Sequence, residues 1–586
     1  MTRPTLIYDG DCSFCRMWVE FWRGLTGDRI DYRTADGAID AVEYADGETR
    51  CSGAEAVFEL LSGVSGYGWL LWMHRNVPGF AALAGLCYRF IAGHRNAAYR
   101  VTRALWGERV EPASYRVACG IFVRILALIY MVAFASFGIQ ARGLVGSEGI
   151  LPIRQYFQIA YSALGNAALW RVPSIFWWAQ GDFALLSIAW GGVAMAAVAT
   201  IARPFSGWQR GVFAILCVYY LSIVSAGQIF MSYQWDLLLV EAGFLAIFLR
   251  PSRIRVWLFR WLLFRLMFES GMVKLTSHDP AWRNLTALSY HYWTQPLPTI
   301  FGWFAAKLPL WFDMASTAMV FAIELVLPFL MFGPRRLKQV AGFGFLALQL
   351  LIFLTGNYTF FNLLAMALCL FLFDDAFFAR WARKKKRAAP AALAESKRWL
   401  SAALFVFVMT VSGVELAGML GAQLPLADQV LELEGPFGLV NQYGLFAVMT
   451  TSRPEIQIEG SNDGTHWDPY VFRYKAGPLD RAPGWVAPFQ PRLDWQMWFA
   501  ALGSYRQNPW FVRFLLQLLE GSKPVLALIE RDPFGGTPPL HVRAMVYEYR
   551  FSSFEDLRKT GNWWTRELKG MYFPPVSLRG RGNQGQ

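Results

Sequence analysis

FRLMFESGMVKLTSHDPAWRNLTALSYHYWTQPLP, residues 264 to 298, decides how the whole chain is read. It begins inside an apolar run long enough to enter a bilayer, carries Arg265 and Glu269 into that run, and leaves through a loop crowded with Trp, Tyr, His and Pro. Four residues apart, Arg265 and Glu269 share a helix face and are spaced to pair. Ionisable groups at membrane depth are expensive, so they face a protein interior and mark either a working site or an ion pair that locks two helices together. Both readings stay open from the sequence.

Working outward, 586 residues are too many for one domain, and 55% hydrophobic with 16% aromatic lies far above a soluble average. The chain reads as a polytopic membrane protein. Its net charge of +13 falls in short Lys and Arg clusters between apolar runs, so the charge reads as topology and no nucleic-acid partner is expected. The seven cysteines stand at 12, 15, 51, 87, 119, 217 and 369, so the chain beyond Cys369 cannot depend on disulfides. The opening MTRPTLIYDGDCSFC has no basic-apolar-cleavage pattern, which predicts a cytoplasmic N-terminus.

Residues 1–107 read as a small α/β domain. TLIYDG is a short strand ending in a turn, and CSFCRMWVEFWRGL follows as a helix with Cys12 and Cys15 in its first turn. A helix N-terminus favours thiolate, which makes Cys12 the attacking sulfur and Cys15 the resolving one, while Asp9 and Asp11 oppose the effect. YDGDCSFC, RCSGAEAVFELL and YRFIAGHR resemble the DCC family of thiol-disulfide oxidoreductases, which implies a thioredoxin-like fold. One departure is that no proline occurs between Pro4 and Pro78, so the proline that faces the cysteines in thioredoxins is missing. Redox activity and an inactive relic of the fold therefore both stand. A zinc site would need Cys51 and His74 as further ligands, and no metal or cofactor is expected. Arg95, Arg100, Arg103, Arg109 and Arg116 read as a basic linker on the cytoplasmic side of the first span.

Nine apolar runs near the ~20 residues that cross a bilayer follow. They lie near 117–137, 182–202, 211–230, 233–249, 254–273, 310–332, 338–355, 357–373 and 399–420, inside a membrane domain of residues 116–420. Basic connections at 203–210, 250–260, 335–338 and 380–398 alternate with connections poor in Lys and Arg, which puts the N-terminus inside and the C-terminal domain outside. In QWDLLLVEAGFL, Asp236 sits near the outer end and Glu241 about 7.5 Å deeper. Asp236, Glu241, Arg265 and Glu269 therefore meet at similar depth if the fourth and fifth spans are neighbours, with Lys274 and His291 in the loop above. These six are the candidate binding residues. Arg124, Glu324 and Glu415 are further buried charges, read as pairing within the bundle.

Residues 425–575 read as an α+β domain, followed by a disordered tail at 576–586. Asn462-Asp463-Gly464 is a hairpin turn, HVRAMVYEYRF a strand, and RLDWQMWFAALGSYR and PWFVRFLLQLLEGS helices.

FESGMVKLTSHDPAWRNLTALSYHYWTQPLPT, QWDLLLVEAGFL, GNYTFFNLLAMALCLFLFDD and RLDWQMWFAAL resemble, in order, the lipase maturation factor family. The resemblance runs from about Arg116 to Phe551 and implies a multi-pass membrane protein whose C-terminal region lies outside the cytoplasm. Vertebrate members help secreted lipases fold. Two functions follow as expectations. The first is a maturation factor or chaperone of a bacterial-type cytoplasmic membrane, with membrane lipids and an exported client, a lipase among the candidates, as partners. The second is a membrane enzyme acting on a lipid or quinone-like substrate, since the family has been grouped with the membrane part of vitamin K-dependent carboxylase. Convergence of Glu241, Glu269, Lys274 and His291 beside an open cavity would favour the second; a closed, paired network would favour the first.

Overall fold

The computed structural model describes residues 3–379 and 398–578 apart from positions 38, 48, 65, 109 and 423. Most of the expected basic connection at 380–398, Arg109 and the tail beyond 578 lie outside the described residues. The chain forms two compact units, the smaller holding Met1–Ser114, Phe332–Val340 and the residues starting at Phe373.

In the smaller unit β1 (Thr5–Tyr8) lies inside a four-stranded sheet of order β2-β1-β3-β4, with β2 Asp31–Thr34, β3 Glu43–Asp46 and β4 Thr49–Ser52. β1 runs parallel to β2 and antiparallel to β3. Parallel neighbours need a crossover, and α1 (Ser13–Thr26) supplies it. Helices α2 (Gly53–Ser62), α3 (Gly68–Asn76), α4 (Phe80–Gly93) and α5 (Arg95–Trp106) follow. Leu6, Val19, Val42, Tyr44, Ala56 and Leu60 form the core. The expected basic linker is helix α5 over most of its length, because Ala, Tyr, Val and Leu between its arginines give it helical amphipathicity.

The larger unit opens with α6 (Arg116–Val145), about 45 Å long at 1.5 Å per residue. Among the described residues six helices are long and apolar enough to cross a membrane: Arg116–Val145, Asp182–Ile201, Gly207–Ala226, Leu310–Leu330, Arg335–Thr355 and Trp399–Met419. Each of the other three expected spans also meets a helix. Gln234–Ile247 has 14 residues and Phe361–Cys369 has nine plus a short 3-10 turn, both under the ~30 Å hydrocarbon thickness. Arg253–Thr276 has the length, at 24 residues, but carries Arg255, Arg260, Arg265, Glu269 and Lys274, all buried. Close packing sets the helix contacts. The Tyr130 hydroxyl crosses Gly243 to donate to the Leu239 carbonyl at 2.9 Å, where any side chain at 243 would overlap it.

The C-terminal part contains an antiparallel sheet in the order 564–576, 541–551, 454–461 and 468–469. The Asp-Gly turn joins strands paired Glu459 to Pro469 and Gly460 to Asp468, as expected. Helices Arg492–Ala501 and Pro509–Glu520 also form where predicted. The strand Trp564–Val576 has little signal in the sequence: as an edge strand it exposes Arg566, Glu567 and Lys569 and ends through Pro574 and Pro575, so its hydrophobic alternation is weak.

Candidate functional site

The dithiol sits where strand β1 hands over to α1. Cys12 caps the helix, its Sγ accepting the Cys15 N–H at 3.3 Å. Asp9 holds the turn, accepting from the Asp11 and Cys12 N–H groups at 3.0 and 3.2 Å. Asp9 is not a free opposing charge: Arg95 pairs with it at 2.9 Å and donates to the Ile39 and Asp40 carbonyls. Arg95 therefore belongs to the site rather than to a linker. Arg95 and Tyr88 together pin residues 39–42, the Tyr88 hydroxyl accepting the Val42 N–H at 2.9 Å. Burial, the hydrogen bond to Cys12 and its charge push the Cys15 thiol up to about 12. A thiol so disfavoured as thiolate is suited to resolve, not to attack. Burial and the carboxylates of Glu55 and Glu59 likewise push Cys51 up to about 11. His74 packs edge-on against Phe58, 5.5 Å between ring centres. Among the described residues no three His, Cys, Asp or Glu side chains gather as metal ligands.

The expected meeting of charges in the membrane helices occurs only in part, and its pairing differs from the sequence reading. Arg265 pairs with Glu241, not with Glu269 one turn along its own helix. Both Arg265 and Glu241 are fully buried. Further partners come from GLVNQYG at 438–444, beyond the last span. Arg265 donates to the Asn441 carbonyl at 2.7 Å, Glu241 accepts from the Asn441 N–H at 3.0 Å and the Tyr443 hydroxyl at 2.8 Å, and Glu269 accepts the Tyr443 N–H at 2.8 Å. The turn before it is capped by Glu434, which accepts from the Leu439 and Val440 N–H groups. The only local mark of this stretch is Asn441 and Tyr443 between Gly438 and Gly444, which does not point to charges 174 and 200 residues away.

Asp236 does not join that cluster. It forms a two-pronged ion pair with Arg492 at 2.9 and 3.0 Å and accepts from Tyr220. Arg492 also donates to the Phe230 carbonyl, and its N–H reaches Gln140 at 2.9 Å. The start of the helix Arg492–Ala501 is thereby plugged into the helical bundle. Arg453 does the same for the WTQPLP turn, donating to the carbonyls of Trp293, Gln295 and Pro296 while pairing with Glu455. The clamp comes from 157 residues further along the chain, so spacing could not announce it.

Lys274 goes elsewhere again, to Glu324 at 2.8 Å. Glu324 lies buried in a π-turn, Ala322–Val326, within the helix Leu310–Leu330. This pair borders a cavity of about 360 Å³ lined mostly by apolar side chains, among them Leu266, Val320, Ile352 and Phe446. His291 is on its wall, 3.3 Å from the Tyr358 hydroxyl, which donates to Gln295 at 3.0 Å. His278 is directed to Arg283, and Asp279 caps the following turn through the Ala281 N–H. The six expected binding residues thus separate into three places: Glu241, Arg265 and Glu269 in a closed cluster, Asp236 with Arg492, and Lys274 and His291 on the cavity.

Three family descriptions match the chain. Residues 6–101 match the DCC1-like thiol-disulfide oxidoreductase, 117–380 the lipase maturation factor transmembrane domain, and 439–574 the lipase maturation factor C-terminal domain. The chain is 34% identical to lipase maturation factor 2 of Gallus gallus, covering 78% of this chain and 81% of the relative. Identity to lipase maturation factor 2 of Homo sapiens is also 34%, over 80% and 83%. With lipase maturation factor 1 of Bos taurus it is 34%, over 80% and 91%. No solved structure matches the chain.

Proposed function

Because the chain belongs to the lipase maturation factor family, we propose that it is an integral membrane folding factor for exported proteins, with a lipase as the first client to test. The observation that carries this reading is that two separate sets of buried charges are taken up by the C-terminal part: Glu241, Arg265 and Glu269 by Asn441 and Tyr443, and Asp236 by Arg492. Charges spent on holding the C-terminal part onto the helices suit a scaffold that presents a rigid surface. The working domains in this reading are 1–107, thioredoxin-like and thiol-handling, 116–420 in the membrane, and 425–575, with 576–586 as a tail.

The protein sits in a bacterial-type cytoplasmic membrane with its N-terminus inside and residues 425–575 outside. The alternation of basic connections supports that orientation, which requires an odd number of crossings and is met by nine, the helices Gln234–Ile247, Arg253–Thr276 and Phe361–Cys369 among them. The buried pairing of Arg255, Arg260, Arg265 and Lys274 supports the inclusion of Arg253–Thr276, since charges turned inward leave an apolar outer face. In the inner domain Cys12 attacks and Cys15 resolves. Lys274 and His291, on the cavity wall, are the groups placed to contact a bound molecule.

The test is to inactivate the gene in a cell that exports a lipase, and to measure lipase activity per unit of immunodetected enzyme. Specific activity should fall and recover on complementation. Unchanged specific activity across the cell's exported lipases would overturn the client class.

A further inference from the structure

Helix α4 reads FAALAGLCYRFIAG, and its two faces differ. One carries Tyr88, which holds Val42 and lies over Gly53. The other carries Leu83, Leu86 and Phe90, spaced i, i+3 and i+7 and exposed by 60, 60 and 66%, with Cys87 and Ile91 exposed beside them. No residue of α4 is buried. Helix α3 packs next to it and adds Trp69 and Trp72, both more than half exposed. Scattered apolar side chains are normal on a surface, but a contiguous patch of large ones marks a contact.

Charge and place identify what covers this one. Between Glu59 and Glu108 the chain has no acidic residue and five arginines. Arg75, Arg95 and Arg103 are paired with Glu59, Asp9 and Glu108, while Arg89 and Arg100 are exposed. An apolar stripe flanked by Trp and Arg, with no acid, is the composition of a helix that lies in the headgroup layer. The chain enters its first span-length helix at Arg116, one helix beyond α4, so a bilayer is at hand.

We propose that α3 and α4 are a membrane-surface anchor, with Leu83, Leu86, Phe90, Trp69 and Trp72 immersed in one leaflet and Arg89 and Arg100 among the phosphates of anionic lipids. Immersion is on the order of 5–10 Å. The anchor ties the dithiol domain to the bilayer independently of the spans.

Cys87 lies in the middle of the face and is a native probe. The full-length protein, with Cys12, Cys15 and Cys51 replaced by Ser, is placed in vesicles of phosphatidylcholine and phosphatidylglycerol with a nitroxide on Cys87. The label should be reached by oxygen, which concentrates in hydrocarbon, and lose contact with a water-soluble nickel chelate. Leu86→Glu with Phe90→Glu, two exposed positions, should restore nickel contact while the far-ultraviolet spectrum stays unchanged. Full nickel contact in the parent would overturn the proposal, and so would shielding from both reagents, the mark of a face covered by protein. The parent measurement decides alone if the double variant fails to fold.

Discussion

Glutamine at Arg265 should harm the protein more than glutamine at Glu241, and the double change should harm it less than the sum. Arg265 is the cation beside two carboxylates, pairing with Glu241 and lying in electrostatic reach of Glu269, all three fully buried. Removing it leaves the Glu241 carboxylate buried with neutral donors only, a loss of about 3–5 kcal/mol for an unpaired buried charge. Glu241→Gln is milder. The new amide oxygen still accepts from Tyr443, and Arg265 keeps the Asn441 carbonyl at 2.7 Å and the field of Glu269. The loss there is one charge-assisted hydrogen bond, about 1.5–3 kcal/mol. In the double variant Glu241 no longer needs the lost cation, so a coupling of about 0.5–3 kcal/mol should be recovered. Thermal unfolding of the detergent-purified protein reads this. At about 2–4 °C per kcal/mol, Arg265→Gln should lower the midpoint by roughly 6–20 °C. Losses that simply add in the double variant would refute the pairing, and recovery with Glu269→Gln in place of Glu241→Gln would assign the partner one helical turn away instead.

Four further outcomes are expected. Alkylation at graded pH should label Cys12 before Cys15, and in Cys12→Ser the remaining Cys15 should react slowly until well above pH 9, because burial is the largest cause of its shift and survives the change; a midpoint near 8.5 would contradict this. Arg453→Met should leave the Trp293, Gln295 and Pro296 carbonyls without donors, and hydrogen exchange should rise across 291–299 while the distant helix Asp182–Ile201 stays protected. His466, exposed but paired with Asp463 at 2.6 Å, titrates above its ordinary value because of that carboxylate, so the pair is complete at acid pH and is lost as pH rises through the His466 midpoint; Asp463→Asn should bring the midpoint seen by NMR back to about 6.5. Reporter fusions at Gly107 and Ser553 should report opposite sides of the membrane, and the same side for both would mean an even number of crossings.

Period, length and capping are local, and what depends on them could be read from residues alone. The strand TLIY, the helix starting at the cysteines, the Asp-Gly hairpin and the helices beginning at Arg492 and Pro509 all formed where the sequence placed them, since each needs only its own few residues to choose a backbone. So could the six span-length apolar helices found among the described residues, each of which lies on an expected span. The choice of partner could not. Glu269 stands one turn from Arg265, whereas Glu241 reaches it from another helix and Asn441 and Tyr443 arrive from beyond the last span, a contact that exists only once the bundle has closed. The same holds for Asp236 with Arg492, for Lys274 with Glu324, and for Arg95, which looked like a linker charge until the sheet brought Asp9 to it. A buried charge takes whatever complementary group packing delivers at hydrogen-bond distance, and that distance is a property of the folded chain, not of spacing along it.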